Sequence, residues 1–227
     1  MTKYISKIAI LFAFVFALAG CSQGGNETTS SSSQQKAQTS STETKTTNSA
    51  NQSSSNSGPV SASEYFADMK GDFVVEFLWL GCSHCQDVEP YVVDAKNDHP
   101  RVGIVKIPTI FNERWAMDAK VFYAASELGF TSTELLNYYK TVRVGTNQLP
   151  TLDDIAVFVE SEGNSKEEFL RLMDSEEVAS KVEQASALTK EFNIQGTPTF
   201  VVNGTDVVSN EGVTSYQGLV DKVFSNF

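Results

Sequence analysis

The spacing of apolar side chains divides the chain into distinct regimes. Ile8 to Ala19 is a continuous apolar run behind Lys3 and Lys7, whereas Ser22 to Ser57 is almost wholly Ser, Thr, Gln, Asn and Gly, with no apolar period. Phe73-Val74-Val75-Glu76-Phe77-Leu78-Trp79-Leu80 is apolar, β-branched and aromatic and has the length of a buried strand. Gly81 allows a turn, and the residues from Ser83 can run helically to Pro90, with Tyr91 to Asn97 completing the helix beyond a kink. Val102 to Ile107 reads as a second buried strand, so strand, helix and parallel strand form a right-handed βαβ unit.

From Asn112 to about Asn193 the period becomes helical. Trp115, Ala119, Phe122 and Tyr123 share one face. Thr131-Ser132-Thr133-Glu134 has the form of a capping box opening a helix over Leu135 to Val142. Further helices are expected over Leu152–Glu160, Lys166–Met173 and Glu176–Phe192, with Gly163-Asn164 and Asp174-Ser175 between them. The aromatics here are expected to be core. Strand character returns after Gly196-Thr197-Pro198: Thr199 to Val202 and Asp206 to Val208 flank Asn203-Gly204, a strong hairpin signal. Ser215 to Phe224 closes the chain as a helix with Leu219, Val220 and Val223 on one side.

Composition bounds what these elements can be. The Ile8–Ala19 run is too short to span a bilayer comfortably, which favours a signal peptide over 1–20. It ends in Leu18-Ala19-Gly20-Cys21, which resembles the bacterial lipobox. That resemblance implies lipidation of Cys21 as the first mature residue; the alternative is an ordinary signal peptide with a chance cysteine. The polar stretch within 21–59 cannot bury enough surface to offset the entropy of ordering, and is expected to be a flexible tether. As a random coil it would reach roughly 35 Å. From Val60 onward, 13 Lys and Arg face 26 Asp and Glu, a balance that argues against nucleic acid and against anionic lipid.

The chain has three cysteines, Cys21, Cys82 and Cys85. With Cys21 lipidated, only Cys82-Ser83-His84-Cys85 remains, so the pair is not part of a disulfide framework. Behind a signal peptide it lies in an oxidising compartment, where it can form a disulfide. A half zinc site is the other option, but its only further histidine is His99. A strand–turn–helix puts Cys82 at a helix N-terminus, where free N–H groups and the dipole stabilise a thiolate. The thiolate is the form that attacks a disulfide. Glu76 is the single charge in its strand. Either it faces solvent at an irregularity, or it is a buried acid with a raised pKa beside the dithiol.

A Cys-x-x-Cys helix between two strands, a helical insert, Gly196-Thr197-Pro198-Thr199-Phe200 leading a hairpin and a final helix resemble the thioredoxin fold. With the insert and Cys-x-His-Cys, Ser63 to Phe227 resembles specifically the DsbA-type thiol oxidases. The resemblance implies an α/β thioredoxin fold split into 60–111 and 194–227 by an all-helical subdomain at 112–193. It implies a cis Pro198 against Cys82 and Cys85, with the backbone of Thr197 pairing an extended substrate. It also implies a buried Glu76 flanked by Glu89 and Lys106. His84, between the cysteines and near the helix N-terminus, can stabilise the Cys82 thiolate when protonated or through its N–H. Ser83 departs from the family's commonest proline.

The function implied is disulfide donation to folding secreted proteins with free cysteines. No cofactor is expected beyond the Cys82–Cys85 redox disulfide. A DsbB-type membrane quinone reductase would reoxidise a monomeric, lipid-anchored, extracytoplasmic enzyme. Competing expectations are a reductase or isomerase, and a non-catalytic binding lipoprotein whose disulfide is structural.

Overall fold

A computed structural model describes residues 58–208 and 210–227. The expected signal peptide, Cys21 and the tether up to residue 57 lie outside the described residues. The packed domain begins at Val60, whose N–H and C=O both bond to the Gln184 side chain, at 2.7 and 2.8 Å. A short helix, α1 (Ala62–Tyr65), follows.

The sheet contains β1 (Phe73–Leu78), β2 (Gly103–Pro108), β3 (Thr199–Val202) and β4 (Asp206–Val208), in the order β2-β1-β3-β4. β1 runs parallel to β2 and antiparallel to β3, and β3 pairs antiparallel with β4. A central position between two partners explains why β1 is buried along its whole length. Its side chains alternate across the sheet. Phe73, Val75 and Phe77 pack with Phe66, Ile107, Ala185 and Leu188, while Val74 packs on the opposite face with Val88, Val92, Leu219 and Val223. The second face is covered by α2 (Ser83–Asp98) and α8 (Tyr216–Phe224).

Between β2 and β3 lie α3 (Glu113–Glu127), α4 (Ser132–Thr146), α5 (Leu152–Ser161), α6 (Lys166–Met173) and α7 (Glu176–Glu191). This is the expected helical insert. Thr131 and Glu134 form the capping box reciprocally. A second box, Thr151 with Asp154, opens α5. The core of the insert, including Leu135, Tyr139, Ile155 and Phe169, continues into Leu78, Leu80 and Cys85. One apolar mass therefore joins the insert to the turn that precedes α2.

The boundaries correct the expectations at several points. β1 stops at Leu78 instead of Leu80, because Trp79-Leu80-Gly81 turns back so that Cys82 N–H can reach the Trp79 carbonyl, at 2.9 Å. β2 is displaced one residue, to Gly103–Pro108, and α4 extends to Thr146. The hairpin is as expected: Asn203 (φ 52°) and Gly204 (φ 72°) both adopt the left-handed conformation that the Asn-Gly signal favours. Gly81 has a different reason for being glycine. Its backbone is not left-handed, but a Cβ there would lie 2.4 Å from Trp79 Cζ2, so the indole packs where a side chain would stand.

Candidate active site

Cys82 is the N-cap of α2, and its sulfur accepts the Cys85 N–H at 3.3 Å. The first-turn N–H groups of a helix have no intrahelical partner, and they carry the positive end of its dipole. The ionised sulfur is thereby favoured. The Cys85 side chain contributes most, and the Thr197 side chain and the Cys85 and His84 backbone add to it against the opposing cost of burial; the Cys82 thiol is brought down to about 6. In the protonated form the same sulfur donates to the Thr197 carbonyl at 3.4 Å, a contact that is lost on ionisation and is outweighed by the other donors.

Cys85, the third residue of α2, is fully buried. Burial, the neighbouring Cys82 sulfur and Glu76 all push its thiol well above the ordinary range. The two cysteines, free thiols in this structure, are thus chemically unequal: one is poised to ionise, the other to hold its proton. Thr197–Pro198 is a cis peptide, with the Thr197 carbonyl facing Cys82 as the distance above records.

Behind the dithiol lies a buried charge cluster. Glu76 and Lys106 are register partners on adjacent parallel strands, so their side chains leave the sheet on one face. Lys106 Nζ lies 2.9 Å from Glu76 Oε2 and also contacts Glu89. Glu89 in turn accepts from the Thr133 hydroxyl at the start of α4. The contact with Glu76 is an ion pair of poor hydrogen-bond alignment, and both Glu76 oxygens are buried without a well-aligned donor. Desolvation accordingly raises the Glu76 pKa against the pull of Lys106. The two carboxylates conversely raise the pKa of Lys106 against the cost of its burial. Of the two sequence options for Glu76, the structure has the buried acid.

His84 is exposed, and its Nδ1 pairs with the Tyr216 hydroxyl of α8 at 2.7 Å. Its backbone N–H is one of the donors that lower the Cys82 pKa. Ser83 leads the first turn beside it. Thr197 and Pro198 line a cavity with His84 and Tyr216 on one side, while Thr197 lines a second one with Trp79 and Cys82.

Sequence reasoning passed over several polar residues that hold this site. Gln86 is buried, donates to the Leu80 carbonyl at 2.6 Å and accepts from Arg143 Nη2 at 2.6 Å. Arg143 also donates to the Gly81 carbonyl at 3.4 Å, so α4 is tied to the turn that presents Cys82. Asp118 is the other. Buried in α3, it accepts from Trp79 Nε1 (2.8 Å), Arg114 Nε (2.9 Å) and Tyr139 (2.7 Å). Cys82, Cys85, Gln86 and Glu89 follow one another at helical spacing, so a polar inward stripe was available in the sequence. Asp118 likewise had a local signal, Arg114 four residues before it and a place on the Trp115–Ala119–Phe122 face; nothing comparable pointed to Arg143, whose partners Gly81 and Gln86 lie far away along the chain.

The asymmetry can be measured directly. Alkylation of the reduced protein is expected to modify Cys82 with a rate that rises through a midpoint near pH 6, leaving Cys85 unmodified. The linkage has a definite sign. A thiol with a depressed folded-state pKa adds stability above the unfolded value and loses it as pH falls through the folded one. Reduced protein should therefore gain stability relative to oxidised protein from about pH 6 to about pH 9. A difference that stayed flat over that range would contradict the assignment.

A family described as thioredoxin matches residues 71–222. The thiol:disulfide interchange protein DsbA of Pseudomonas syringae pv. tomato is 31% identical over 132 residues, 58% of this chain and 62% of that protein. DsbA of Pseudomonas aeruginosa is 30% identical over 132 residues, covering 58% and 63%. The alignments thus span less than two thirds of these relatives. The crystal structure of Pseudomonas aeruginosa DsbA superposes with a TM-score of 0.60 at 25% identity, over 76% of this chain and 91% of that one. With the match extending over more than half of its length, and with these neighbours in sequence and structure, the chain belongs to the thioredoxin family as a DsbA-like member.

Proposed function

We propose that this protein is an extracytoplasmic thiol:disulfide oxidase that transfers its Cys82–Cys85 disulfide to folding secreted proteins. The observation that carries the proposal is the inequality of the two sulfurs. A Cys82 thiolate held at a helix N-terminus stabilises the reduced form, and a stable reduced form makes a strong oxidant.

In the transfer, a substrate thiolate attacks Cys82 Sγ, the Cys82–Cys85 bond breaks, and Cys85 leaves with the electron pair and takes up a proton. A second substrate thiolate then attacks the substrate sulfur of the mixed disulfide. Cys82 leaves as thiolate, and two electrons have passed from substrate to enzyme. Glu76, Glu89 and Lys106 lie on the Cys85 side and are assigned the supply of that proton. The Thr197 backbone is assigned the pairing of the substrate strand beside cis Pro198, and His84 and Ser83 the rim of the site.

The lipobox-like Leu18-Ala19-Gly20-Cys21 supports anchoring through a lipidated Cys21. A DsbB-type membrane quinone reductase would then be the reoxidant of a monomeric enzyme, at the cell surface or on the periplasmic face. The deciding measurement is the potential of Cys82–Cys85 equilibrated against glutathione. A value near about −120 mV is expected for the oxidase, whereas one near about −270 mV would make the protein a reductase. A value below about −300 mV would make the disulfide structural.

A further inference from the structure

Beside Cys82, on the side facing the helical insert, three aromatic rings form a continuous shelf. Trp79 and Trp115 stack with centroids 4.3 Å apart and planes 10° apart, and Phe111 lies 4.7 Å from Trp115. Phe111 is 45% exposed, a large open surface for a ring next to a reacting sulfur. The shelf is rigid. Trp79 donates through Nε1 to the buried Asp118, and its indole lies over Gly81 where a side chain would stand. Its rim carries Arg143, whose guanidinium is fixed by Gln86 and the Gly81 carbonyl. The cavity between them measures 420 Å³, and Cys82 and Thr197 are part of its wall.

An occupant that fills this cavity therefore also reaches the sulfur and the backbone before Pro198. An extended segment whose cysteine is joined to Cys82 satisfies that, since its neighbouring side chains lie within reach of the shelf. Stacked rings prefer another aromatic face, and a fixed guanidinium attracts the π-face of a ring. We propose that Phe111, Trp115, Trp79 and Arg143 form a specificity subsite for a large aromatic side chain next to the substrate cysteine. The proposal deepens the reading of Cys82 as the exchanging sulfur and rests on it.

The test uses the full chain carrying Cys85→Ser, which halts exchange at the mixed disulfide. The quantity measured is the equilibrium Cys82–S–S–glutathione + peptide–SH ⇌ Cys82–S–S–peptide + glutathione. Peptides with Trp or Ala beside one cysteine are compared. The Trp peptide is expected to be favoured by about tenfold, which corresponds to about 1.4 kcal/mol. Phe111→Ala should bring that ratio close to one, and so should Trp115→Leu, while Val157→Ser on a distant exposed face should leave it unchanged. Equal constants for the two peptides in the unsubstituted shelf would overturn the subsite alone. Failure of either peptide to form a mixed disulfide would overturn the thiol-exchange reading, and the subsite with it.

Discussion

Replacement of Cys82 by Ser is expected to abolish disulfide exchange, lowering its rate by at least about a thousandfold, with the fold intact. The chemistry admits no substitute. A serine hydroxyl forms no stable bond to sulfur in place of the disulfide, and near neutral pH it does not ionise as a thiol held to about 6 does. Serine is nearly isosteric with cysteine and a preferred N-cap residue, so it can accept the Cys85 N–H in place of the sulfur. Cys85→Ser should behave differently. It retains the attacking sulfur and accumulates mixed disulfides with substrate, visible as covalent adducts on non-reducing gels. If the two variants were equally inert toward disulfides, the assignment of Cys82 as the exchanging sulfur would be wrong.

The second large effect is expected at Lys106. Its ammonium lies between two carboxylates that are otherwise buried, and it is itself mostly buried. Removing one partner of such a cluster leaves uncompensated buried charge, which typically costs about 3–5 kcal/mol. Lys106→Met should therefore lower unfolding free energy by about that amount at pH 7. The pH dependence follows from the sign of the Glu76 shift. A carboxyl whose folded-state pKa is raised binds its proton more tightly folded than unfolded, so stability declines as pH rises through the ordinary carboxylate value toward the folded one. Without Lys106 the shift grows, so the penalty should shrink in acid, where Glu76 is protonated. Adding Glu76→Gln should recover part of the loss at pH 7. Urea titrations of the three proteins at pH 4.5 and pH 7 would read this, and a penalty independent of pH would exclude charge burial as its cause.

Exchange measurements and unfolding titrations together separate two roles of one region. The charge cluster touches Glu89 in α2 and Thr133 in α4, so it also ties the insert to the active-site helix. A variant that loses stability but keeps the alkylation midpoint of Cys82 would assign the cluster to packing. One that also slows release of Cys85 from the disulfide would assign it to proton supply.

Much of this molecule is legible in local pattern. The period of the apolar residues locates the four strands and helices α2 to α8 of the described domain, because burial on one face demands it. Cys82-Ser83-His84-Cys85 behind a buried strand places a thiol pair at a helix N-terminus, and Asn203-Gly204 and the Thr131 capping box set their own local geometry. These are short-range effects: a turn, a cap or a dipole acts over a few residues and is written in those residues.

What the sequence left open is what depends on partners distant along the chain. Glu76 alone in its strand could have faced water or the interior. Register against Lys106 and a central place in the sheet decided for the interior. Gly81 suggested a turn, but it is the Trp79 ring, drawn aside by Asp118, that occupies the space of its missing side chain. His84 lies beside the sulfur in sequence, yet its ring turns to Tyr216. Arg143 carries no local signal, and only the packing of α4 against the first turn of α2 brings it to Cys82. Local chemistry determined where the two thiols sit on α2; the tertiary structure decided what surrounds them, because charge burial and ring packing depend on neighbours that only folding supplies.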